Sequence, residues 1–202
     1  MKKLVLSVFL LLGSVNAQAT GLSILNAQAI NFSGYNGEPV SYTGARNTGF
    51  TGSVNALFDG NLTAVYLGQE SDHINRFRFE VGNRLNEWDA IGSAIYTEVD
   101  AGLVRFRFID TDGVNESFIN GRSRSFAIMD GYIPEEIAGN DYGPFDYIIG
   151  LNDSSLSDGD YDDFVVGLRF QPVSSVPVPA ALPLMATAIG LFGLQRRRNA
   201  KA

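Results

Sequence analysis

Arg76-Phe77-Arg78-Phe79-Glu80-Val81 alternates charged and apolar side chains without a break, and Val104-Arg105-Phe106-Arg107-Phe108 does so again 29 residues later. Successive side chains of an extended strand point to opposite faces. Each stretch therefore offers one aromatic face and one charged face, the period-two signature of a strand with one face buried. A helix would scatter the same phenylalanines around its axis. The echo between the two stretches fits an internal repeat, or simply two similar strands facing one core.

Working outward, Phe164-Val165-Val166-Gly167-Leu168-Arg169-Phe170 places Phe164, Val166, Leu168 and Phe170 on one face. Further strands are expected at residues 64–67, 90–98, 125–129 and 146–149. Turn signals at Asp59-Gly60, Asp112-Gly113, Asn120-Gly121 and Asp130-Gly131 separate them. No window of ten or more residues in this body carries helical periodicity. Short strands joined by turn-rich connections predict an all-β domain over residues 20–170, an antiparallel β-sandwich or jelly roll.

The two ends read differently. Lys2-Lys3, an apolar run over residues 4–12 and Ala17-Gln18-Ala19 have the order of a secretion signal, half the length of a spanning helix. Signal peptidase is expected to cut between Ala19 and Thr20, removing residues 1–19. At the far end, a linker over residues 171–179 leads into residues 180–194, which carry no charge, and then into Arg196-Arg197-Arg198. An apolar segment closed by arginines is a stop-transfer pattern that leaves the arginines in the cytoplasm. Fifteen helical residues span only about 22 Å, short of a hydrocarbon core of about 30 Å. The segment over residues 180–202 is therefore expected to be a hydrophobic helix with an Arg-rich tail, engaging the membrane at least transiently.

Val176-Pro177-Val178-Pro179-Ala180, the short apolar segment and the terminal Arg cluster together resemble PEP-CTERM sorting signals, in particular the VPLPA subclass. Val178 stands where that subclass has Leu. The resemblance covers residues 176–202. It implies recognition by an exosortase, a transpeptidase-like membrane protease of Gram-negative bacteria that make exopolysaccharide. It further implies a final location at the cell surface, outer envelope or extracellular matrix. The competing reading of the same residues is a plain C-terminal tail anchor.

The whole chain has 15 basic and 22 acidic residues, a formal charge of −7. Six of the basic residues lie in the two ends, so the body keeps nine against all 22 acids, a net charge of −13. Such a surface repels nucleic acid, which is not an expected partner, and favours cations. With no cysteine, an exported chain must rely on its core, with or without a metal.

The densest polar stretch, Asn152 to Asp163, ends in Asp158-Gly159-Asp160-Tyr161-Asp162-Asp163. Asp158, Asp160 and Asp162 sit at positions 1, 3 and 5 of a calcium loop. Asp163 and Arg169 then occupy positions where an EF-hand needs Gly and Glu, so this is not an EF-hand. With Phe164-Val165-Val166 the stretch resembles a D-x-D-[YF]-[ND]-D-Φ-V-V pattern, Φ being apolar, that recurs near the end of β-rich extracellular domains, often just ahead of PEP-CTERM tails. Asp158, Asp160, Asp162 and Asp163 are candidate ligands for a structural Ca²⁺; a solvated Asp-rich turn reads equally well from the residues. Asp110-Thr111-Asp112-Gly113 reads as a hairpin turn.

Catalysis has little to stand on. His73 is the only histidine and reads as an exposed turn residue; no nucleophile elbow is present, and a His/Cys zinc site is impossible. Trp88, the only tryptophan, reads more readily as a core-edge residue than as a sugar platform. No enzyme is expected. The expected role is structural or adhesive, with exopolysaccharide or other envelope components as partners. The alternative is a carbohydrate-binding module or a glycan-acting hydrolase on the same fold.

Overall fold

A computed structural model describes residues 21–33, 46–112, 116–131, 144–153 and 159–173. These contain twelve strands and no helix. In order they are β1 (Leu22–Asn31), β2 (Thr48–Ala56), β3 (Gly60–Gly68), β4 (Asn75–Phe79), β5 (Arg84–Asn86) and β6 (Ala94–Val99). Next come β7 (Gly102–Leu103), β8 (Phe106–Asp110), β9 (Ser117–Ile119), β10 (Phe126–Asp130), β11 (Tyr147–Leu151) and β12 (Phe164–Pro172). All pairings are antiparallel. The larger sheet has the order β1-β2-β10-β11-β12-β3-β6, with β7 also on β2; the smaller has the order β5-β4-β8-β9.

The two Arg-Phe-Arg-Phe stretches are neighbours. In the β4–β8 pair, Phe77 lies opposite Phe108 and Phe79 opposite Phe106. Their echo thus comes from two paired strands that present one aromatic face. That face meets Phe126 of β10 and Phe164 of β12 on the larger sheet, with ring centroids 6.0 Å and 6.1 Å from Phe108. Phe106 stands 5.6 Å from Phe126. Aromatic pairs at such separations add about 0.5–1.5 kcal/mol each beyond their area burial.

Alternation predicts one buried face for β12. Phe164, Val166, Leu168 and Phe170 do lie in the core between the sheets. Val165 is also fully buried, on the opposite face, with Leu67, Met129 and Ile148 under Phe32 and Phe145. A strand in the middle of a sheet covered on both sides needs apolar residues on both. Gly167 admits that cover, since a Cβ there would come within 2.6 Å of the Phe145 ring.

β1, β2, β5, β7 and β9 carry no sequence signal strong enough to predict them. β1 is an edge strand whose side chains are mostly exposed, interrupted by a bulge between Leu25 and Gln28. Asn26 turns the bulge at φ 55°, a left-handed conformation asparagine tolerates. β6 starts at Ala94, not residue 90, because Ser93 N–H closes a tight turn on Ala90 O at 2.9 Å. β12 runs to Pro172, two residues into the expected linker. The expected signal segment, the expected sorting motif at Val176–Ala180 and the expected hydrophobic helix with its Arg196–Arg198 tail lie outside the described residues.

Antiparallel β3 and β12, with Gly60 opposite Pro172 and Gly68 opposite Val165, define two poles. Nine residues of strand separate these poles by about 30 Å. One pole holds the β2–β3 turn and the end of β12. The other holds the β3–β4 and β11–β12 loops.

Candidate metal centre

The acidic pole is built where those two loops lie against each other. Glu70 N–H donates to Asp162 O at 3.2 Å, and Ser71 Oγ–H donates to Asp153 Oδ2 at 2.7 Å. Asn75 Nδ2, at the first residue of β4, donates to the same carboxylate oxygen. His73 N–H in turn donates to Ser71 Oγ at 2.9 Å. The neck of the β11–β12 loop is closed by Asp153 N–H donating to Asp163 Oδ2 at 2.7 Å and Asp163 N–H donating to Leu151 O at 3.2 Å.

Between these ties the backbone is contorted. Gly159 and Tyr161 both take left-handed φ values, 68° and 63°. Glycine does so without strain, tyrosine does not. The Tyr161 ring is held edge-on to Phe32 with centroids 5.3 Å apart, and burial pushes its phenol pKa up.

This course turns Asp160 and Asp162 inward, both buried, and brings their carboxylate oxygens within 4.8 Å of each other and of a Glu70 oxygen. Of the four acids singled out in the sequence, Asp160 and Asp162 therefore converge. Asp163 spends an oxygen on the loop neck, and Asp158 lies outside the described residues. Glu70 joins from a different loop, and only the tertiary fold could reveal it.

Three carboxylates form an oxygen-only donor set that suits a hard cation such as calcium, where zinc would favour nitrogen and sulfur. Beside them, Asp153 is 3% exposed, and its Oδ1 accepts no hydrogen bond from any described residue. A buried carboxylate oxygen in that condition is costly unless a cation lies near.

A second group, His73 with Asp110 and Asp112, also gathers ligand atoms within 4.8 Å. Here the oxygens serve the backbone. Asp110 Oδ1 accepts Asp112 N–H at 3.1 Å, and Asp112 Oδ1 accepts Ile74 N–H. These bonds make Asp110–Asp112 the start of a turn, and β8 and β9 pair antiparallel across it. His73 is half-exposed, its Nδ1 3.9 Å from Asp112 Oδ1.

Trp88 departs from the core-edge expectation. It is 61% exposed, and the Arg76 guanidinium sits 5.9 Å from the ring. The loop over residues 87–93 turns the ring outward, and a cation covers part of it. No protein-family model, curated protein or solved structure matches the chain.

Proposed function

We propose that this chain is an exported, non-catalytic surface protein of a Gram-negative bacterium, in which a β-sandwich plays a structural or adhesive role in the envelope or matrix. Lys2-Lys3, the apolar run over residues 4–12 and Ala17-Gln18-Ala19 support export. The PEP-CTERM-like tail, from Val176 through Arg198, supports sorting by an exosortase. One observation carries the reading furthest: Glu70, Asp160 and Asp162 converge at one pole of a domain otherwise held by apolar cores. Calcium is abundant outside the cell, and extracellular sites of this kind bind at roughly 10⁻⁴–10⁻³ M. In a chain without cysteine it would do what a disulfide does elsewhere, tying the β11–β12 loop to the β3–β4 loop.

A glycan-binding role for the same domain draws on the exposed rings of Trp88 and Tyr96, 61% and 72% exposed. Tyr96 lies on the edge strand β6, beside Thr63 of β3.

Export and sorting are checked together in a strain with a working exosortase. Protein recovered from the envelope or medium is expected to begin at Thr20 and to lack Arg196–Arg198. Truncation before Pro177 should release or misroute it. Retention of the arginines in the mature surface protein would favour the plain tail anchor.

Calcium is checked by melting. At about 5 mM, a site in the stated range stabilises the fold by about 1–2 kcal/mol through mass action. For a domain of this size that is a Tm rise of about 2–8 °C. Glu70 is exposed, so Glu70→Gln leaves the packing alone. This variant should melt at or above the wild type in chelator, since one like charge is gone, and should lose most of the calcium gain. A wild type whose Tm ignores calcium leaves a solvated turn.

A further inference from the structure

The pole opposite the acids carries an anomaly. The β2–β3 connection, Leu57-Phe58-Asp59, places two large apolar side chains at a turn apex, where polar residues and glycine are the rule. Leu57 is 48% and Phe58 54% exposed. Val173, 59% exposed, joins them, because its N–H donates to Asp59 O at 3.1 Å. Leu57 N–H donates to Gly21 O at 2.8 Å, so the start of the described chain lies against the same turn.

The sequence beyond Val173 indicates what this apolar knob meets. Six residues separate it from the uncharged segment over residues 180–194. Seven peptide steps reach at most about 25 Å. With that segment in a bilayer, the pole bearing Leu57, Phe58 and Val173 is kept within about 25 Å of the lipid surface, near enough to rest on it. The acidic pole, about 30 Å further along the strands, points away. Apolar and aromatic side chains lodge favourably at the headgroup boundary. Asp59, Asp100 and Glu98 lie around the same end, on or beside β3 and β6, and would be repelled by anionic headgroups.

We propose that Leu57, Phe58 and Val173 form a foot that seats the domain on a zwitterionic lipid surface while the tail is in the membrane. Seated there, the domain holds the Val176–Ala180 motif at the bilayer boundary, where a membrane protease can reach it. The inference rests on the membrane-directed tail, and the test separates the two.

The chain has no cysteine, so single cysteines can be introduced and labelled with a polarity-sensitive dye. Phe58→Cys and Val173→Cys report on the foot, and Asp72→Cys, exposed at the acidic pole, is the reference. Full chain is bound to phosphatidylcholine vesicles and the emission compared with that in buffer. A blue shift at 58 and at 173, with quenching by lipid-borne nitroxide, is the expected result; position 72 should stay water-like. Chain that pellets with vesicles while 58 and 173 remain water-like overturns the foot alone. Equal shifts at all three positions show indiscriminate adsorption and overturn it too. Chain that stays in the supernatant overturns the membrane-directed tail and the foot with it.

Discussion

Phe108→Ala is expected to cost about 3–5 kcal/mol, the range for deleting a buried aromatic ring. Phe108 has no exposed surface and stands at the middle of the inter-sheet core. Its ring centroid lies 5.1 Å from Phe77, 6.3 Å from Phe106, 6.0 Å from Phe126 and 6.1 Å from Phe164. Four rings lose a neighbour at once, and none can close the gap without leaving its own contacts. For a domain of this size the loss corresponds to a Tm lowered by about 6–20 °C. Against a total stability of about 5–15 kcal/mol, it brings a marginal domain near unfolding. Phe108→Leu keeps most of the volume and should cost under about 2 kcal/mol. Phe118, on the short edge strand β9 and 6% exposed, should cost less on truncation than Phe108. Urea melts of the three variants check the order. A Phe108→Ala loss below about 1 kcal/mol would mean that the aromatic faces do not meet.

The strands legible in the sequence are those whose burial is decided by alternation. β4 and β8 bury their phenylalanines and leave their arginines outward, so period two is written into Arg-Phe-Arg-Phe. β12 is legible as a strand but not as a strand covered twice, since Val165 looks outward by its position alone. β1 and β2 are silent for another reason. β1 exposes most of its side chains at a sheet edge, and β2 is rich in glycine, threonine and serine. Their place comes from backbone pairing, eight registered positions between them, which leaves little trace in side-chain pattern. At the candidate site, Asp160 and Asp162 are legible because the loop itself sets them side by side. Glu70 is not, because its partners lie about ninety residues away in sequence and meet it only once β3 and β12 have paired. The Asp153 knot with Ser71 and Asn75 is hidden in the same way: each residue alone looks like ordinary loop polarity.

Asn120 shows how a turn signal can conceal a structural tie, and Asn120→Ala is expected to cost about 2–4 kcal/mol. The Asn120-Gly121 pair reads as a turn, and Gly121 does take a left-handed φ of 81°. Yet Asn120 is 2% exposed, and its amide behaves like an extra peptide group. Oδ1 accepts Val54 N–H at 3.0 Å; Nδ2 donates to Val54 O at 2.9 Å and to Val104 O at 2.7 Å. Val54 belongs to β2 of the larger sheet, and Asn120 directly succeeds β9 of the smaller, so this one side chain links the two. Alanine removes three bonds and strips the buried Val54 N–H of its acceptor, which costs more than the bonds themselves contributed. Asn120→Asp separates acceptor from donor. It keeps the oxygen facing Val54 N–H, but at neutral pH it sets a carboxylate against two carbonyl oxygens. Burial and those oxygens would raise its folded pKa above the ordinary 3.9 or so. The fold then favours the protonated form, which can donate to one carbonyl. Stability relative to wild type is therefore highest below about pH 4 and is lost as pH rises through the folded value. Melts of wild type, Asn120→Ala and Asn120→Asp from about pH 3.5 to about pH 8 should show the Asp variant recovering toward wild type on acidification. The Ala deficit should stay constant. An Asp deficit that does not change with pH would mean that the amide donates to neither carbonyl.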